Sequence, residues 1–243
     1  MRRGFHEPVE KPKRFYREVT VEPVPEGFEV RLDGRTVRSP KGGKLALPTR
    51  ALAEAVAGEW AAQVETIELA QMHLLRLANT ALGAIPAARE ATADQIAEYA
   101  GSDALCYFAD EPAALVERQT EAWSPILARA EAELGLNFVR ASGVVHRAQP
   151  PETLAAVQAL ALGLDDFRLA GLAFGTPLFG SAVLAIAVLQ GWLSGPAAFD
   201  LSRVDESFQE EKWGVDAEAA ERAERLRAEA AMLEHWFRSL DQA

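Results

Sequence analysis

Apolar and polar positions follow one period up to about residue 49 and a different one beyond it. Residues 14–22, RFYREVTVE, alternate: Phe15, Arg17, Val19 and Val21 share one face, Tyr16, Glu18, Thr20 and Glu22 the other. Val24-Pro25-Glu26-Gly27 is a turn, after which Phe28, Val30 and Leu32 alternate with Glu29 and Arg31. Asp33-Gly34 is a two-residue hairpin signal, and Arg35 to Ser39 returns as a strand. Pro40-Lys41-Gly42-Gly43 turns again before a short strand, Leu45 to Leu47, closed by Pro48. Period two over these runs predicts an antiparallel meander of about four strands.

Beyond Thr49, an N-cap residue, the period becomes helical. Leu52, Val56, Trp60 and Val64 recur at i,i+4 steps and form one apolar stripe. A second helix runs from Gln71 to Ala84 and is stopped by Pro86. Further helices are predicted over 88–101, 102–108, 112–122, 124–134, 151–163, 165–174, 177–193, 196–211 and 216–240. Ser124-Pro125 looks like an N-cap followed by proline at the first helical position, which places a break after Trp123. Gly135 ends the next helix, and residues 136–150, with Phe138, Val139, Val144 and Val145, hold a short extended piece. The pattern is that of an α+β fold. A small β-rich N-terminal domain with one or two helices covers 1–84, and an all-α helical domain covers 85–243.

One stretch needs arbitration. Leu169 to Phe199 contains no charged residue and is long enough to span a bilayer. Gly171, Gly175, Thr176-Pro177 and Gly180 interrupt it, and Pro177 splits it into pieces short for a bilayer and suited to core helices. A buried helical hairpin is the expectation, with no stable membrane insertion; a membrane-attached factor held through 169–193 is the lesser alternative.

Charge narrows the choice of partner. The chain of 243 residues has a formal net charge of −11, which disfavours nucleic acid, because phosphate neutralisation needs a basic surface. The acid lies late; Arg2, Arg3, Lys11, Lys13, Arg14 and Arg17 make the start basic. The single cysteine, Cys106, lies in an apolar run and is expected to be buried and inert. The N-terminus has no apolar core, and Glu7 and Glu10 are out of place in a transit peptide, so the chain is expected to be cytoplasmic.

Catalytic signatures are missing: there is no phosphate-binding loop, dinucleotide fingerprint, nucleophile elbow or His-Glu-x-x-His. Lys41-Gly42-Gly43-Lys44 suits a hairpin tip better than a phosphate cradle, and His6, His73, His146 and His235 show no ligand spacing. The segment Asp205 to Gly214, DESFQEEKWG, sets four carboxylates around Phe208 and Trp213. Glu206 and Glu210 are like charges at i,i+4, which costs stability. Three readings stay open: a solvated helix end, a protein-docking surface anchored by Trp213, or a carboxylate cluster for metal binding or hydrolysis. Trp60, flanked by Glu59 and Gln63, is either core or contact.

Eight segments in order carry a resemblance: RFYREVTV (14–21), LDGRTVRSP (32–40), LALPT (45–49), LA.A.A.EWAAQ (52–63), LANTAL (77–82), DALCYF (103–108), Q…WSPIL (119–127) and DESFQEEKWG (205–214). Together the segments resemble the assembly chaperones for the alpha subunit of the F-type ATP synthase catalytic head, of the mitochondrial and alphaproteobacterial type. Met72-His73-Leu74-Leu75, Gly83 and Ser124 depart from the family pattern. The resemblance implies a non-enzyme without cofactor or metal. It would bind the free alpha subunit and shield its interface until the alpha–beta hexamer assembles; a monomer is expected. It implies a bacterial, cytoplasmic member, with the mitochondrial matrix as the site of eukaryotic relatives. By resemblance the partner-binding candidates are Glu206 first, then Gln209, Glu210, Trp213 and Trp60, with Glu59 beside the last.

Overall fold

The structure, a computed structural model, describes residues 11–40, 42–143 and 145–242. Arg2, Arg3, His6, Glu7, Glu10, Lys41 and Val144, which carry some of the expectations above, lie outside the described residues.

Four strands form the N-terminal sheet: β1 (Val19–Val24), β2 (Gly27–Leu32), β3 (Arg35–Thr36) and β4 (Ala46–Leu47). β1 and β2 pair antiparallel from Val19↔Leu32 to Val24↔Gly27. Asp33 and Gly34 both have positive φ, 47° and 76°, as the two-residue turn between β2 and β3 requires. The meander is modified at its end: β4 pairs with β2, at Phe28↔Leu47, rather than extending the sheet beyond β3. The alternation predicted from residue 14 begins later. Tyr16 is buried, and its hydroxyl donates to the Trp60 carbonyl at 2.7 Å, while Phe15 is 66% exposed. The chain before β1 pairs elsewhere, with Arg14 N donating to Glu65 O at 2.9 Å and Ile67 N to Pro12 O at 2.8 Å.

Helix α1 (Arg50–Ala61) starts at Thr49, whose hydroxyl accepts from Leu52 N at 3.2 Å. Leu52, Val56 and Trp60 face inward as predicted, whereas Val64 lies past the helix end and is exposed. α2 (His73–Gly83) and α3 (Ile85–Ala100) follow, and Pro86 begins α3 instead of only stopping α2. The helix expected over 102–108 is absent. Asp103 caps a single 3-10 turn, Ala104–Cys106, and Tyr107–Phe108 (β5) pairs in parallel with Ala141–Ser142 (β6). That pairing confirms the extended piece within 136–150.

The break predicted at Pro125 does not occur, and α4 runs unbroken over Ala113–Leu134. An internal proline costs a helix about 3 kcal/mol. Here Trp123 and Leu127 on either side of it are buried, and the Trp123 indole donates to Leu201 O at 2.9 Å. Burial of that continuous face outweighs the lost bond. α5 (Pro151–Gly163) matches its prediction in full.

The uncharged stretch forms the centre of the helical layer as α6 (Asp166–Phe179) and α7 (Ala182–Leu189). It divides at Gly180, in the left-handed conformation, rather than at Pro177, which sits in the last turn of α6. Residues 182–188 of α7 are all buried. Among the described residues no helix is long and apolar enough to cross a membrane. α10 (Ala217–Asp241) buries Leu233, Trp236 and Phe237, and one hydrophobic cluster runs from Tyr16 through these residues to Leu240. Near the end of α10, Ser239 O accepts from the Thr49 hydroxyl at 2.6 Å, which ties the start of α1 to the last helix.

The helix predicted over 196–211 is two helices, α8 (Gly195–Ser202) and α9 (Val204–Trp213). Arg203, with φ −116° and ψ 22°, separates them. The break turns α9 into a new direction and sets up the candidate site.

Candidate functional site

α9 has two chemically different faces. Val204 and Phe208, one turn apart, are buried toward α4. The Arg118 guanidinium and the Lys212 ammonium lie 5.2 Å and 4.2 Å from the Phe208 ring centre. Asp205 accepts from the side-chain amide of buried Gln119 at 2.6 Å, and that amide's oxygen accepts from Ala109 N at 2.7 Å. Glu211 takes two hydrogen bonds from Arg118, at 2.7 and 2.9 Å. These bonds hold the Glu211 carboxyl below its ordinary value. The acids on this face are therefore fastenings between α9 and α4.

The opposite face carries Glu206, Gln209, Glu210 and Trp213. Their spacing of three, four and seven places them in one stripe. Glu210 is half-buried and paired with Arg203 at 2.6 Å, which relieves the like-charge conflict read from sequence. The side chains of Glu206 and Gln209 are exposed and make no hydrogen bond or ion pair with any described residue. Trp213 ends the helix with 78% of its surface exposed, and Val215 beside it is 64% exposed. Gly214, at φ 88°, turns the chain between them. An indole so exposed has no folding role, since it removes little apolar surface from water.

Behind this stripe, α9 and the start of α10 open on a cleft of about 660 Å³. Phe179, Phe199 and Leu226 form its floor, and Glu206, Glu218 and Arg222 stand on its walls. Arg118, Arg203, Glu218 and Arg222 were not singled out from sequence. Arg203 and Glu210 lie seven residues apart, beyond the three- and four-residue spacings at which helix neighbours pair, so the sequence does not announce their ion pair. Arg118 lies 93 residues from Glu211, and no local signal links them.

The other two candidates lie apart from α9. Glu59 and Trp60 belong to α1, which packs on β1, β2, α2 and α10. Trp60 is only 8% exposed and meets the Tyr16 ring edge-on at 5.7 Å. Glu59 accepts from Leu74 N at 2.8 Å and Leu75 N at 2.9 Å, capping the first turn of α2. Burial raises its carboxyl above the ordinary value, and those amides work against the rise. Gln63 completes the joint, donating to Glu59 O at 2.9 Å and accepting from Glu68 N at 2.6 Å. In this structure Glu59 and Trp60 organise the N-terminal core.

Cys106 is buried, and that burial, with Asp103 nearby, pushes its thiol up to about 12. A thiol so shifted is a poor nucleophile. The Asp205–Glu211 acids do not converge, because Asp205 and Glu211 bond inward while Glu206 points outward. Among the described residues, no three His, Cys, Asp or Glu side chains gather so as to hold a metal ion.

The chain is similar to known proteins in sequence and in fold. The model of the ATP12 chaperone protein family matches residues 13–131. The mitochondrial protein atp12 of Schizosaccharomyces pombe is 24% identical over 206 residues, covering 79% of this chain and 70% of that protein. The crystal structure of Atp12 from Paracoccus denitrificans superposes with a TM-score of 0.89 at 38% identity, covering 94% of this chain and 98% of that one. A solved protein from Agrobacterium tumefaciens gives a TM-score of 0.88 at 40% identity, covering 94% of this chain and 86% of that one.

Proposed function

The chain belongs to the ATP12 chaperone family, and on that premise we propose that it binds the free alpha subunit of the F-type ATP synthase catalytic head. It holds the subunit without catalysis and without a cofactor until the alpha–beta hexamer forms. It acts as a monomer, in the cytoplasm of a bacterium or the matrix in mitochondrial relatives. The docking surface is the outward stripe of α9: Glu206, Gln209, Glu210 and Trp213.

The observation that carries this reading is Trp213. A large aromatic at 78% exposure, beside exposed Val215 and one stripe with unpaired Glu206 and Gln209, has the make-up of an interface anchor with polar specificity elements. The opposite face of α9 is bonded to α4, so the stripe is presented on a fixed support. A preorganised surface of this kind loses less entropy on binding. A free subunit exposes apolar interface that is prone to aggregate, and covering it with an apolar and acidic surface protects it. The larger alpha–beta contact then displaces the chaperone by competition.

Co-expression tests the reading. The alpha subunit made alone should pellet in large part, and made with this chain it should stay soluble. Equal solubility with and without the chain contradicts the proposal.

A further inference from the structure

The geometry points to the cleft between α9 and α10 as a socket for a cationic side chain of the partner, an arginine for preference. This inference rests on the docking reading above and specifies the chemistry of what docks.

The charges in the cleft are unevenly balanced. Arg203 at its rim is neutralised by Glu210 at 2.6 Å. Asp216 caps α10, one of its oxygens accepting from Ala219 N at 2.8 Å. The side chains of Glu206, Glu218 and Arg222 make no hydrogen bond or ion pair with any described residue. Three carboxylates therefore face one free guanidinium. A partner's carboxylate would meet excess negative charge, and an apolar side chain would desolvate the acids without pairing them.

The floor adds a second requirement. Phe179 and Phe199 are buried beneath the cleft, and Leu226 is half-buried at its side. An apolar floor under acidic walls suits a side chain with a long aliphatic stem and a cationic head. Arginine fits better than lysine, because its planar fork can engage carboxylates on two walls at once. Glu206 stands on α9 and Glu218 on α10, so the acids do approach from two helices.

Glu206 belongs to both features: it lines the cleft and lies on the outward stripe of α9. Trp213 is seven residues further along the helix, roughly 10 Å away. A segment of the alpha subunit resting on Trp213 can thus place its arginine in the cleft.

The test is titration of purified alpha subunit into the fluorescently labelled protein. Glu218→Lys should weaken binding by about tenfold or more, and Ala219→Phe, which fills the cleft, should weaken it comparably. Arg222→Ala removes the opposing cation and should tighten binding. Arg225→Ala, which breaks only an exposed pair with Glu221, should leave affinity unchanged. These positions are exposed, so circular dichroism and melting should match wild type. Wild-type binding with unaffected Glu218→Lys and Ala219→Phe variants overturns the socket alone. Failure of the wild-type protein to bind the alpha subunit removes the docking reading and the socket with it.

Discussion

Arg118 grips Glu211 through two hydrogen bonds while its guanidinium lies 5.2 Å from the Phe208 ring centre, so one side chain of α4 fastens α9 by both charge and packing. Arg118→Ala should raise amide hydrogen exchange across residues 204–213 and leave the global melt nearly unchanged, because the pair is exposed. Glu206→Lys should leave that exchange unaltered. The clamp also has a pH signature. The Glu211 carboxyl is held below its ordinary 4.5, so the clamp is intact above that value. It is lost only as pH falls through the depressed pKa, and protection of α9 should fall with it.

Glu59 is a structural cap. Truncation in Glu59→Ala leaves the amides of Leu74 and Leu75 without their acceptor. It should lower unfolding free energy by about 1–3 kcal/mol, measured by urea denaturation. Glu59→Gln, which keeps one acceptor oxygen, should lose less. Unchanged stability in Glu59→Ala would remove the capping role.

Asp103 makes folding sensitive to pH. Its carboxylate accepts from Val183 N at 3.0 Å and Leu105 N at 3.1 Å, joining the 3-10 turn to the start of α7. Full burial outweighs these bonds and lifts the carboxyl from 3.8 to about 6. A raised folded pKa means that the folded state holds the proton more tightly. The stabilisation is complete below 3.8 and is lost as pH rises through about 6. At about 1.36 kcal/mol per pKa unit, the loss is on the order of 3 kcal/mol. Asp103→Asn cannot titrate, so its stability relative to wild type should improve between about pH 4 and about pH 7. A constant difference across that range would show an ordinary carboxyl.

At Gly195 the backbone of α8 lies close against that of α10. A Cβ there would lie 1.8 Å from Ala230 O, and its own amide already donates to Glu234 at 3.0 Å. Gly195→Ala should therefore destabilise by about 1–3 kcal/mol or more, read as a lower melting temperature. Wild-type stability would show that the crossing relaxes freely.

Local signals in the sequence were sufficient for the Asp33-Gly34 hairpin, the Thr49 cap, α5 and the buried Leu169–Phe199 hairpin. Prolines were misleading where packing outweighed them: Pro125 lies inside α4 because Trp123 and Leu127 are buried around it, and Pro177 sits in the last turn of α6. The break at Arg203 has no proline or glycine to announce it, so α8 and α9 merged in the periodicity. The 206, 209, 210 and 213 stripe was already present in the spacing. Which acids were free was not, because the partners of Asp205 and Glu211, Gln119 and Arg118, come from α4. From sequence Trp60 and Trp213 could each be core or contact, and the fold separates them as one buried and one exposed indole.

The central claim concerns Glu206 and Trp213 as contacts for one specific subunit. Its most direct test is a pull-down of purified alpha and beta subunits, offered separately, on wild type, Glu206→Lys and Trp213→Ala. The account predicts that wild type retains alpha and not beta, and that both variants, with unchanged circular dichroism, lose alpha. A folded Glu206→Lys variant that retains alpha as wild type does, or a wild-type protein that retains neither subunit, would contradict it.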